Sequence, residues 1–418
     1  MDRRVVGESV WKGAVRAPRG ARCREKAVKT VGIICECNPF HAGHAHLITR
    51  ARAAGADCVV CVMSGPFVQR GEAAVADADL RAQALIAGGA DLVLELPFPY
   101  AAAPAEFFGA AGVHILHELG VDELWFGSEC GDLSLLSRLA TLAETPAFCA
   151  RYAETASQSD GTAAAYLRCL EELSGESLTL SSNDLLGIAY LRALSRLCSN
   201  VRPVTVRRLG SAYRDTALGE GFPSATALRK AWREQGLAAV LERLPAQTRA
   251  VYAAAESPAD LSYAERLILG HFRLRSAEEL ETIATLGGGL GTRLQNCARE
   301  AESLSELLSL AATKKYPNAR LLRGIVYALT GITEADLRLP PVYTRLLSAN
   351  EAGCRFLAEV RRSRAFCVAT RRTDLPDTPE AAYAAELEER AYALYALCRP
   401  ERVRFTSVWQ RTPTIFKK

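Results

Sequence analysis

Glu36-Cys37-Asn38-Pro39-Phe40-His41-Ala42-Gly43-His44 is the stretch of this chain whose residue types and spacing are best suited to chemistry. An apolar, β-branched run from Val31 to Glu36 precedes it, and apolar residues three and four apart follow from Gly43 to Ala54. A strand-to-helix turn exposes backbone N–H groups and the positive end of the helix dipole, so this turn is an anion site with phosphate as its natural guest. His41 and His44 are three apart and project to the same side, and Gly43 has no side chain to block a phosphate. Asn38-Pro39 sets a tight turn ahead of them. Two other readings of the same residues are a pair of structural histidines and a metal site of His41, His44 and His46. His46, two residues beyond His44, is expected to point away from it, which weighs against the metal.

Such a turn works only if a sheet holds it. Four strands are predicted, Val31 to Glu36, Cys58 to Met63, Leu92 to Leu96 and Glu123 to Phe126, with helices over Gly43 to Ala54, Asp79 to Ala87 and Ala105 to Leu119. Parallel strands need crossovers long enough for a helix, so the fold class is α/β, a doubly wound parallel sheet that binds its ligand at the carboxyl ends of the strands. Residues 130 to 200 read as helical, Val201 to Leu209 as a strand, and Pro223-Ser224-Ala225-Thr226 as a helix opening with Ser224 or Thr226 as cap. Beyond about residue 240 the pattern is mainly helical, with a β-prone tail at Val403 to Trp409. Three parts are therefore expected: a flexible basic extension (1–30), a doubly wound domain carrying the phosphate site (31–240) and a mainly helical domain (241–418).

With 418 residues, 49% apolar and 23% charged, the chain is long enough for two or three domains, and wholesale disorder and a disulfide mini-protein are excluded. Its longest apolar run, Asp91 to Pro104, is broken by Asp91, Glu95 and prolines, so no membrane span is predicted. Thirteen scattered cysteines, an odd number without framework spacing, point to a reducing cytoplasm. Cys58 and Cys61 lie in an apolar run and read as a buried strand rather than a redox pair. Net charge is +6 over residues 1–30, −7 over 31–240 and +5 over 241–418. The basic last block is a hint of a polyanion partner.

His41-x-Gly43-His44 after a first strand resembles the signature of the HxGH nucleotidyltransferase superfamily, whose fold is Rossmann-like. The resemblance narrows with Met63-Ser-Gly-Pro-Phe-Val-Gln-Arg-Gly-Glu72, Gly89-Ala-Asp91-Leu-Val-Leu-Glu95-Leu-Pro97 and Phe126-Gly-Ser-Glu129. It extends through Ser182-Asn-Asp-Leu-Leu-Gly187, Arg207-Arg-Leu-Gly210 with Tyr213, Ser224-Ala-Thr-Ala-Leu-Arg229 and Lys315-Tyr316 with Arg320. In this order the motifs resemble the tRNA(Met) cytidine acetate ligase family over essentially residues 31 to 418.

The resemblance implies an enzyme that activates acetate with ATP to acetyl-adenylate and passes the acetyl group to N4 of the wobble cytidine of elongator tRNA(Met). It implies His41 and His44 as catalytic residues, with ATP contacts at Ile34, Cys35, Glu36, Cys37, Asn38, Pro39, Phe40, His41, Ala42, Gly43, His44, Ala45, His46, Leu47, Gly127, Asn183 and Arg208. Mg2+ is expected on the phosphates, with no protein-bound metal site, no membrane and no obligate protein partner. Asn183 can equally be read as the N-cap of a helix running from Asp184 to Arg196. Three positions depart from the family: Cys37 replaces an aromatic, Ala78 a common lysine and Ser182 a common proline. For the tRNA grip, Lys314, Lys315, Arg320 and Arg323 are the first candidates, then Arg361, Arg362, Arg364, Arg371 and Arg372. The short motif alone also fits a small-molecule nucleotidyltransferase of coenzyme or activated-sugar synthesis, which leaves residues 241–418 without a task. A non-catalytic tRNA-binding protein that senses ATP fits as well.

Overall fold

A computed structural model describes residues 28–158, 162–208, 223–401 and 403–417. The predicted alternation is present as β1 (Thr30–Cys35), α1 (Ala42–Ala53), β2 (Cys58–Ser64), α2 (Ala78–Ala87), β3 (Leu92–Leu96), α3 (Ala105–Leu119) and β4 (Glu123–Ser128). Then come α4 (Leu133–Leu142), α5 (Pro146–Gln158), α6 (Thr162–Ser174), α7 (Ser182–Arg196), β5 (Arg202–Arg207) and α8 (Ala225–Gln235). The strands lie in the order β5-β4-β1-β2-β3, all parallel. The connection runs outward in one direction through β2 and β3 and in the other through β4 and β5, which makes the carboxyl end of β1 the switch point where such sheets bind ligands.

Both faces of the sheet are covered, and the period-2 geometry of a strand sorts its residues between two cores. Ile34, Val60, Val62 and Leu94 pack with Phe108, Leu116 and Ile188 of α3 and α7. Val31, Ile33, Val59 and Met63 pack with Ile48, Leu85 and Trp232 of α1, α2 and α8. Cys58 and Cys61 are both buried, and their odd spacing sends them to opposite faces, so no redox pair forms.

The amino-terminal boundary lies earlier than expected. Thr30 is buried in β1, its N–H and hydroxyl both 2.7 Å from Asp122 Oδ2, and the Lys29 ammonium reaches Glu123 at 3.1 Å. Residues 1–27 of the expected extension lie outside the described residues, as do Gly210 and Tyr213.

The block from residue 241 is mainly helical, but it also completes the sheet. β6 (Tyr343–Asn350) pairs antiparallel with β3, and β7 (Cys367–Ala369) and β8 (Thr414–Phe416) pair parallel with β6, so the sheet is not confined to residues 31–240. The tail strand falls at Thr414–Phe416 rather than at Val403 to Trp409, where only a 3-10 turn (Val408–Gln410) is regular. Between them, residues 261–337 build a helical body around Leu269, Phe272, Leu294, Leu307 and Ile325. It is fastened to the loops after β2 and β3: Arg323 Nη1 donates to Gln69 O at 3.0 Å and Tyr327 Oη to Pro99 O at 3.0 Å. No described helix is long and apolar enough to cross a membrane.

Candidate functional site

The loop after β1 is held by hydrogen bonds with its neighbours. Its Asn38–Pro39 peptide is cis, and Cys37 takes a left-handed φ of 50°. Asn38 Oδ1 accepts from Val75 N at 2.8 Å, Phe40 N donates to the buried Tyr252 Oη at 2.8 Å, and the Phe40 ring is buried. Beneath it, the wholly buried Arg81 donates Nε to Ala76 O (2.9 Å), Nη1 to Glu36 O (2.8 Å) and Ser64 O (3.0 Å), and Nη2 to Gly65 O. One guanidinium, whose five donors have a fixed fork geometry, thus ties together the carboxyl ends of β1 and β2.

His41 is the N-cap of α1. Its Nδ1 accepts from Gly43 N at 3.0 Å, and His44 Nδ1 accepts from His41 N at 3.2 Å, a capping box made of two imidazoles. The ring centroids are 4.1 Å apart. Because each Nδ1 accepts, the neutral rings carry their proton on Nε2, which leaves two N–H donors for a ligand. Burial, the neighbouring His44 and then Arg208 push the His41 pKa well below its usual value, and burial and Arg208 push that of His44 to about 3. Gly43 has a second role besides clearing a path: a Cβ there would lie 2.7 Å from His41 Cε1 and 3.0 Å from its Nδ1, displacing the cap.

A second wall comes from β4, β5 and α7. A Cβ on Gly127 would stand 3.1 Å from Arg208 Cγ, so the missing side chain lets Arg208 lie across the end of β4. Asn183 is not the helix cap. Ser181 takes that place, accepting from Asp184 N, while Asn183 Nδ2 donates to Glu129 Oε1 at 2.7 Å. Glu129 also pairs with Arg208 Nε at 3.2 Å and accepts from Ser181 Oγ, so one carboxylate orients both Asn183 and Arg208.

These walls enclose a cavity of about 340 Å³. It is lined by Ile34, Cys35, Glu36, Cys37, Asn38, His41, Ala42, Gly43, His44, His46, Leu47, Gly127, Asn183 and Arg208 of the expected contacts. Pro39, Phe40 and Ala45 do not line it; Phe40 instead packs against Gly88, where a Cβ would meet its ring. His46 lines the cavity, as the resemblance implies, although its spacing from His44 suggests that it points away; it lies three residues from Gly43 and shares that face of α1. Among the described residues no His, Cys, Asp and Glu cluster is placed to hold a metal.

Residue-level reading missed Gln69, Arg70, Tyr190, Ser224, Thr226 and Arg229, which also line the cavity. Ser224 caps α8, and the buried Arg229 one turn on donates to Asn38 O at 3.0 Å and to Thr226 Oγ1 at 3.4 Å. The amino ends of α1, α7 and α8 therefore converge on one space, where free N–H groups and dipole ends favour an anion. The signal was present in Ser224 to Arg229, a cap followed by a cation three residues after Thr226.

Of the cations expected to hold tRNA, Lys314 and Lys315 are exposed, with Lys315 Nζ 5.3 Å from the Tyr316 ring. Arg320 and Arg323 are largely spoken for: Arg320 Nε donates to Thr285 O at 3.2 Å, and Arg323 bonds Gln69 O.

Comparison with known proteins agrees with this geometry. A family model described as HIGH Nucleotidyl Transferase matches residues 28–408. The tRNA(Met) cytidine acetate ligase of Syntrophotalea carbinolica is 36% identical over 88% of this chain and 91% of that protein. That of Acetivibrio thermocellus is 31% identical over 89% and 95%. Among solved structures, apo Thermotoga maritima TmcAL superposes with a TM-score of 0.87 at 27% identity, covering 93% of this chain and 100% of the other. The same protein bound with alpha-thio ATP gives 0.85 over the same shares. A paired-histidine capping box at the switch point of a doubly wound sheet, in a chain matched almost end to end, places this protein in the HIGH nucleotidyl transferase family, among the tRNA(Met) cytidine acetate ligases.

Proposed function

We propose that this protein is an ATP-dependent ligase that forms acetyl-adenylate and transfers the acetyl group to N4 of the wobble cytidine of elongator tRNA(Met), in the cytoplasm. The observation that carries this reading is the single cavity in which two imidazole donors and three helix amino ends meet, in a chain similar over its length to ligases of that name.

ATP enters with its triphosphate toward the amino ends of α1 and α8, and the ribose and adenine toward Gly127 and Asn183. Acetate is already an anion, so the first step asks for alignment and charge neutralisation rather than a base. An acetate oxygen attacks the α-phosphorus, the bond to the bridging oxygen breaks, and pyrophosphate leaves with the electron pair. The Nε2–H groups of His41 and His44, with Arg208 and Arg229, stabilise the charge that develops on the phosphates. Mg2+ arrives as part of the MgATP substrate, held by phosphate oxygens. The second step needs the wobble base splayed from its loop into the cavity. The RNA itself rests on the basic block that carries Lys314 and Lys315.

Radiolabelled acetate with ATP and bulk tRNA tests the reading. Label in RNA as acetylcytidine is the expected result; adenylate transfer to a small molecule without RNA labelling, or no turnover, overturns it.

A further inference from the structure

Among the described residues that line the cavity there is one carboxylate, Glu36. We propose that Glu36 is the general base of the acetyl-transfer step, accepting the proton of the cytidine exocyclic amine; this rests on the ligase reading above.

Glu36 directly follows β1 at the switch point, and it is half-buried where every other residue from Val31 to Phe40 is buried. The side chain is held in place: Oε1 accepts from Gln69 N at 3.0 Å, and the backbone oxygen accepts from Arg81. Oε2 has no hydrogen bond among the described residues. The charges that face it are Arg229 from α8, Arg70 and Glu72 from the loop after β2, and Arg81 from α2. Burial outweighs the two arginines that oppose it and raises the carboxyl pKa. The histidines are poor rivals for the part, because each commits Nδ1 to a backbone N–H and presents a protonated Nε2.

The chemistry balances as follows. The N4 lone pair forms a bond to the acetyl carbonyl carbon, the N–H proton passes to Glu36 Oε2, and the carbonyl–oxygen bond to the adenylate phosphate breaks. AMP leaves with that electron pair, and Glu36 returns its proton to solvent. Adenylation, whose nucleophile is an anion, requires none of this, so the two half-reactions separate the role.

The test uses the full chain and the Glu36→Gln variant, which keeps an oxygen for the Gln69 N–H. Because Glu36 lines the nucleotide cavity, exchange is read beside transfer: acetyl transfer to tRNA from supplied acetyl-adenylate is expected to fall about a hundredfold or more, at least about tenfold beyond any fall in acetate-dependent ATP–pyrophosphate exchange. Glu36→Asp should recover part of the transfer. In the parent, single-turnover transfer should fall as pH drops through the Glu36 ionisation, and that limb should vanish in Glu36→Gln. Transfer that survives in Glu36→Gln overturns the proposal, since the departing phosphate would then take the proton. Joint loss of exchange and transfer with weakened ATP binding also overturns it, assigning Glu36 to the nucleotide. A parent that exchanges pyrophosphate but never acetylates tRNA sinks the ligase reading itself.

Discussion

At the scale of single residues, the site depends on hydrogen bonds that leave no slack. Gly43→Ala would drive a methyl into the His41 ring and break its bond to residue 43, so acetate-dependent exchange should fall about a hundredfold, with a melting temperature within a few degrees of the parent. A variant that keeps full exchange would show that the cap can shift without consequence. Glu129→Ala removes the carboxylate that holds both Asn183 and Arg208. ATP affinity measured calorimetrically should weaken about tenfold, the size of one or two lost charge-assisted hydrogen bonds. Unchanged affinity would mean that those side chains find their places without it. The phosphate turn could be read from residue types, because His41, Gly43 and His44 are close in sequence and their chemistry is local, whereas Gly127, Asn183 and Arg208 entered only through the family resemblance. Glu129 could not: nothing in Phe126-Gly-Ser-Glu129 says that its carboxylate turns toward residues 54 and 79 positions further on.

At the scale of elements, the contrast between α3 and β6 shows what patterning can and cannot carry. The span Ala105 to Leu119 was legible to the residue because its apolar spacing is helical and Gly120 closes it in a left-handed conformation. Tyr343–Asn350 was not, since Thr344, Arg345 and Ser348 break the apolar run, yet all three are buried. Thr344 Oγ1 donates to Glu95 O at 2.6 Å, Arg345 pairs with Glu95 at 2.5 Å, and Ser348 Oγ donates to Thr414 O at 2.8 Å. Polarity that marks a surface strand here marks a strand whose partners come from distant sequence. The helix Pro379–Leu397 adds Glu388, buried and bonded by Tyr343 Oη at 2.7 Å, with burial and Glu95 raising its pKa to about 8. Its folded-state pKa lies above that of the unfolded chain, so the native state binds the extra proton and stability falls as pH rises from about 4.5 through about 8. Glu388→Gln, neutral throughout, should flatten the decline of melting temperature between pH 5 and 8; parallel pH curves would count against a protonated Glu388.

At the scale of the whole molecule, the proposed reading has the basic and acidic blocks divide the labour. With −7 over residues 31–240 and +5 over 241–418, affinity for a polyanion should come from the second block and weaken steeply with salt. Replacing Lys314 and Lys315, both exposed, by glutamate should raise the KM for tRNA and lower the salt slope, with pyrophosphate exchange intact. Normal tRNA binding together with lost exchange would assign the two lysines to the nucleotide site. Arg320 and Arg323 are poor choices for that experiment, since their bonds to Thr285 and Gln69 hold the helical body together and against the β2 loop.

The antiparallel pairing of β6 with β3 bears on how this enzyme can be dissected. A fragment ending near residue 240 would bare the outer edge of Leu92–Leu96, leaving its backbone groups unpaired and Glu95 without its Arg345 partner. Such an edge recruits other strands, and the fragment would be sticky rather than catalytic. On the proposed reading, nucleotide and RNA functions should thus be separable by point substitution but not with scissors.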